Sequence, residues 1–145
     1  MDNKSYILVH YGEIALKGKN RGEFITELVN NIAQTLAAKD IPVVVESYFG
    51  YLVLDIKNSA DMQNALGVLQ KVPGIVWVSP VKRLIDAESK DADKIRSEVL
   101  SLAEGAYVEN RSFRVRVDRA DKKFPIRSQE FERELGGMIR EKTGW

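Results

Sequence analysis

The spacing of apolar positions changes several times along this chain, and each change marks an element. Tyr6-Ile7-Leu8-Val9-His10-Tyr11 is a short apolar run ended by Gly12, which predicts a buried strand. Asn20 followed three residues later by Glu23 fits an asparagine-started capping box. Beyond it Ile25, Leu28, Val29, Ile32 and Leu36 recur at helical spacing. Pro42 then opens Val43-Val44-Val45, and Gly50 separates that run from Tyr51-Leu52-Val53-Leu54, as in a hairpin. Met62, Ala65, Leu66 and Leu69 mark a second helix that stops at Pro73-Gly74. A fourth strand, Ile75-Val76-Trp77-Val78, precedes Pro80, with Trp77 assigned to the core.

The order β-α-β-β-α-β over residues 1–85 is the ferredoxin-like pattern of an α+β domain, one sheet face lying under two helices. After Leu84 the pattern changes. Ser89 to Glu104 reads as a charged helix with Ile95, Val99, Leu102 and Ala103 on its apolar side and Gly105 at its end. Phe113, Val115 and Val117 alternate with Arg114, Arg116 and Asp118, the period of a strand with one apolar and one charged face. Phe131, Leu135, Met138 and Ile139 give a last helical stripe. A lone strand between two helices cannot pair its backbone. The reading for residues 86–145 is therefore an unfinished α/β domain, completed by strands beyond Trp145 or by a partner.

Composition adds exclusions. The 145 residues include no cysteine and a single histidine, His10. A disulfide framework, a thiolate metal site and a cysteine nucleophile are thereby absent from this sequence, and a histidine metal site is disfavoured. His10 reads as a strand-end residue with a satisfied hydrogen bond, and the alternating Glu130, Glu132 and Glu134 spread around a helix instead of forming a carboxylate pair. With no apolar signal region and no membrane-length run, the expected setting is cytoplasmic, away from membranes.

Charge is balanced overall, 22 basic against 21 acidic residues, but not locally. Between 111 and 127 stand Arg111, Arg114, Arg116, Arg119, Lys122, Lys123 and Arg127 against Asp118 and Asp121, a surplus of five positive charges. Such a patch on a near-neutral chain points to a polyanion, with nucleic acid first. The bland alternative is the wet face of an amphipathic strand. Phe124-Pro125 offers either a stacking surface for a base or a pin for the loop. A second basic cluster, Lys17, Lys19 and Arg21, precedes the first helix, where free N–H groups favour phosphate. Gly12 to Lys19 is not a P-loop: five residues separate the glycines, and Asn20 stands where Ser or Thr would bind magnesium.

Taken as an ordered set, these motifs resemble the N-terminal part of the tRNA 4-thiouridine synthetases (tRNA sulfurtransferases), a family also linked to thiamine biosynthesis. The likeness runs through Tyr6–Glu13, Lys17-Gly18-Lys19-Asn20-Arg21 and Val72-Pro73-Gly74-Ile75. It is most specific at Arg119, Lys122, Phe124-Pro125-Ile126-Arg127-Ser128, Glu130 and Leu135-Gly136-Gly137. It implies a ferredoxin-like domain followed by a THUMP domain, from which this chain departs in that the THUMP part is expected to end early, before its closing strands. It also implies capture of tRNA at its acceptor stem and CCA end for a catalytic PP-loop domain in cis or trans. That domain's Ser-Gly-Gly-x-Asp-Ser loop is absent here, so ATP belongs to it and no cofactor is expected in this chain. The resemblance carries over Lys17, Lys19, Arg21, Arg119, Lys122 and Arg127 as RNA contacts; Arg114, Arg116 and Lys123 join them on charge and geometry, and Phe124 as a stacking surface. At the first hairpin, where relatives can carry a basic residue, this chain has Tyr48-Phe49-Gly50.

Other classes compete with this reading. A THUMP module serving another tRNA modification is the nearest. A ferredoxin-like interaction or regulatory module predicts pairing through an open sheet edge, including a homodimer. A small acylphosphatase-like enzyme is disfavoured, because no arginine-asparagine catalytic pair is visible.

Overall fold

The computed structural model describes residues 5–12, 20–84, 90–119 and 123–145. They divide into two compact units, Met1–Arg83 and Leu84–Trp145.

In the first unit, strands β1 (Ser5–Tyr11), β2 (Val43–Tyr48), β3 (Tyr51–Ile56) and β4 (Ile75–Val81) form one sheet in the order β2-β3-β1-β4. All three pairings are antiparallel. Helices α1 (Arg21–Ala37) and α2 (Met62–Leu69) complete the ferredoxin-like arrangement. Strand alternation sends Ile7, Val9 and Tyr11 with Leu52, Leu54 and Ile56 to one face, against Leu28, Ile32, Leu36, Ala65 and Leu69 of the helices. The Tyr11 hydroxyl accepts from Gly50 N–H at 3.1 Å and donates to the Tyr48 carbonyl at 3.4 Å, which ties the β2–β3 hairpin to the core. Gly74 is required twice over. Its φ is +94°, and a Cβ there would lie 3.1 Å from Phe24 Cζ.

Several local expectations need correction. Asn20 makes no side-chain cap to α1, so the capping box does not form. Pro80 lies inside β4, tolerated because β4 is an edge strand and its missing N–H breaks no ladder on the open side. Trp77 is 46% exposed on the helix-free face, because it shares the phase of His10, its register partner, and not that of the buried Val9. Gly105 falls within the helix that it was expected to end.

In the second unit α3 (Ala92–Ala106) and α4 (Ser128–Thr143) pack together. Asp91 caps α3, its carboxylate accepting from the Asp93 and Lys94 N–H groups. Arg96 reaches Glu134 and Lys142 reaches Glu104, so both helices advance in the same direction. Arg96 Nε lies 2.7 Å from Glu134 Oε1, an ion pair that joins the two helices. Ala103, Phe131, Leu135 and Ile139 are buried, while Leu102, expected on the apolar side, is 55% exposed.

No described residue of this unit belongs to a β ladder, so 113–117 is not a paired strand. Its alternation nevertheless holds: Phe113, Val115 and Val117 are half-buried, while Arg114, Arg116 and Asp118 are exposed. Apolar packing fixes the phase, and a ladder partner is missing among the described residues. Among them, too, no helix is long and apolar enough to cross a membrane.

Candidate nucleic-acid interface

With no ladder to fix it, the segment from Arg111 to Val117 is held by side chains of the helix that follows. Glu132, one turn into α4, accepts the Val117 N–H at 2.9 Å. At the other end the Trp145 indole Nε1 donates to the Arg111 carbonyl at 2.6 Å, and its ring packs on Phe113 and Tyr107. Trp145 is positioned in turn by the left-handed Gly144 (φ 74°) and by the Thr143 hydroxyl, which accepts its backbone N–H. These anchors turn the Phe113, Val115 and Val117 side inward and leave the arginines of the other side in solvent.

Arg114, Arg116 and Arg127 are exposed, and their side chains form no ion pair among the described residues. Arg114 and Arg116 share a face by their two-residue spacing. Arg127 sits at the N-terminal boundary of α4, its carbonyl accepting from Phe131 N–H at 2.9 Å. Guanidinium groups without carboxylate partners suit phosphate, since the planar fork matches two phosphate oxygens.

Two expected contacts have internal duties. Arg119 Nη1 donates to the carbonyls of Phe124 and Ile126, at 3.0 and 3.3 Å, clamping the loop before α4. Phe124 stacks on Phe131 with centroids 5.7 Å apart and planes 16° apart. This stacking pins the loop before α4. Lys123 is exposed at the start of that loop. A concavity of about 440 Å³ lies beside these residues, floored by Ile95, Val99, Val115, Phe131 and Leu135, with Arg116 and Arg119 in its wall.

Arg21 is the first residue of α1, its guanidinium 4.1 Å from the centroid of the Phe49 ring. Lys17, Lys19 and Lys122 lie outside the described residues. Sequence reasoning overlooked Glu132 and Trp145. Their signal was the unpaired backbone of the expected strand, which requires acceptors and donors from a neighbouring element.

Comparison with known proteins decides the family. The ThiI ferredoxin-like domain model matches residues 6–79, and the THUMP domain model matches 89–145. The chain belongs to the ThiI family. It is 34% identical over 134 residues to a protein named probable tRNA sulfurtransferase from Staphylococcus aureus strain MRSA252. A protein of the same name from strain MSSA476 is 36% identical over 137 residues. Each alignment covers 92% of this chain, which spans only 31% of those relatives. PH1313 from Pyrococcus horikoshii has a similar crystal structure, with a TM-score of 0.75 and 29% identity over 94% of this chain and 44% of that one. The α+β architecture of a ferredoxin-like domain followed by a THUMP domain is thus consistent with that crystal structure.

Proposed function

We propose that this chain is the tRNA-capturing part of a thiouridine-forming enzyme: it holds the acceptor end of tRNA for a catalytic domain elsewhere. The observation that carries the reading is the face made by Arg114 and Arg116, with Arg127 beyond it, exposed and without carboxylate partners among the described residues, beside a loop clamped by Arg119. A THUMP match over these residues, and relatives named for tRNA sulfur transfer, support tRNA as the polyanion.

The chemistry of capture is electrostatic. Each arginine neutralises a phosphate and releases its condensed counterions, so affinity falls with salt. Shape and phosphate spacing identify an RNA stem, and unpaired 3′ nucleotides add base contacts. Adenylation and sulfur transfer, with their ATP, fall to the catalytic domain.

The test compares intact tRNA with tRNA lacking its CCA end. Binding at micromolar concentration or better that weakens when the CCA is removed is the expected result. Equal, weak binding of both would leave only a basic patch and favour an interaction module. The purified chain should form no thiouridine alone, and thiouridine formed by it would overturn the division of labour.

A further inference from the structure

The helix-free face of the first unit carries a feature unrelated to the basic segment. Register places Tyr48 opposite Tyr51, Tyr51 opposite His10, and His10 opposite Trp77. One ring from each of the four strands therefore stands in a single row across the sheet, in the order β2-β3-β1-β4. The rings stack on one another: Tyr48 on Tyr51 at 5.2 Å, Tyr51 beside His10 at 6.1 Å, His10 on Trp77 at 3.9 Å. Interplanar angles stay between 13° and 30°. A stack of this kind presents ring faces only at its ends, and both ends lie on edge strands.

The two ends differ. The Tyr48 hydroxyl is fixed, donating to Glu46 at 2.8 Å and accepting from Arg83 at 3.1 Å. Arg83 reaches this site from beyond β4, pairs with Glu46 and lies over Tyr6, so it occupies the face beside the Tyr48 end of the row. At the other end Trp77 is 46% exposed. Past Tyr48, at the hairpin turn, Phe49 is 77% exposed with the Arg21 guanidinium on its ring.

We propose that this row is a stacking platform for unpaired RNA, with a base continuing the stack on Trp77 and the strand running toward Phe49, where Arg21 meets a phosphate. Three strand spacings of about 4.8 Å give a track of roughly 14 Å, room for two or three nucleotides. Four-stranded sheets with aromatic side chains on an open face take unpaired bases on their ring faces; here the face that a base can meet is the Trp77 end of the stack. Charge favours nucleic acid over a protein or a second copy of the chain. The row contains no carboxylate, Glu46 beside it is neutralised by Arg83 at 2.8 Å, and the exposed ring at its margin carries an arginine. The proposal shares its ligand class and Arg21 with the tRNA reading, but its ring row is separate from Arg114, Arg116 and Arg127.

The experiment uses the full chain and two labelled probes of equal charge, octa-adenylate RNA and an octamer of abasic ribose phosphates. Octa-adenylate should bind about tenfold more tightly, as expected for one base on an aromatic ring. Trp77→Ala should erase that difference without affecting the abasic probe, and Trp77→Phe should retain most of it. Equal binding of both probes, or unchanged octa-adenylate affinity in a folded Trp77→Ala protein, would overturn the proposal. So would a Trp77→Ala change confined to self-association by light scattering. The variant Arg114→Ala/Arg116→Ala/Arg127→Ala separates the two readings: it should weaken both probes by the same factor and leave the base-dependent difference intact.

Discussion

The two units solve the same backbone problem in different ways. In Met1–Arg83 every strand has a ladder partner, and apolar side chains from sheet and helices meet in one core. In Leu84–Trp145 the stretch with strand-like alternation has no ladder among the described residues, and Glu132 and Trp145 supply hydrogen bonds in its place. A ladder spreads stability over many bonds, so no single side chain is decisive. Side-chain anchors concentrate it. The second arrangement leaves a row of arginines on a surface set by two contacts, which links local stability to the proposed binding face.

That contrast can be broken by substitution. Leu54→Ala, at a fully buried position among β-strands, should cost about 3–5 kcal/mol of the first unit's stability in chemical denaturation. Ile139→Ala, in the smaller helical core, should cost about 2 kcal/mol, since a site bordered by solvent collapses more easily. Equal costs would remove the distinction.

Glu132→Ala should sharpen it. Losing the acceptor for Val117 N–H should cost about 1–2 kcal/mol locally and speed exchange of that amide, leaving β1–β3 amides unchanged. Protection of Val117 equal to wild type would mean that apolar packing alone holds the segment.

A pH effect belongs to the first unit. The Tyr48 hydroxyl, donating its hydrogen bond, and the neighbouring Arg83 hold the Glu46 carboxyl below the usual glutamate range, against desolvation. A lowered folded pKa stabilises the fold above the unfolded value, and that contribution fades as pH falls through the folded value. Glu46→Gln should therefore remove a small part of the acid sensitivity in thermal melts from pH 6 downward. An identical acid profile in the variant would show that the triad contributes nothing at this exposed site.

The smallest effect concerns Gly137, in the middle of α4, where an added Cβ would meet nothing within 4 Å. Gly137→Ala should stabilise the second unit by about 0.5–1 kcal/mol. Stabilisation accompanied by weaker tRNA binding would reassign the glycine to close approach by RNA.

Much of the first unit was legible because period and phase are local. The buried Leu28, Ile32 and Leu36 sit on the stripe read from spacing, and the hairpin turns at Gly50 with φ +87°. The aromatic row was not legible, since it depends on cross-strand register: Trp77 reads as core until its pairing with His10 is known. In the second unit alternation revealed which side chains face inward at 113–117 but not what holds the backbone. It also exposed the arginines without revealing that Arg119 donates to two carbonyls. Charge in a sequence marks a surface, whereas hydrogen-bond geometry separates an arginine offered to a ligand from one committed to the fold.

The most direct test is the salt dependence of tRNA binding by the wild-type chain and by the Arg114→Ala/Arg116→Ala/Arg127→Ala variant. If these three groups contact phosphate, the slope of log affinity against log salt should become shallower by about 2–3, at roughly 0.7–0.9 per lost contact. A folded variant that keeps both the affinity and the slope of the wild type would place the tRNA on another surface and contradict the account.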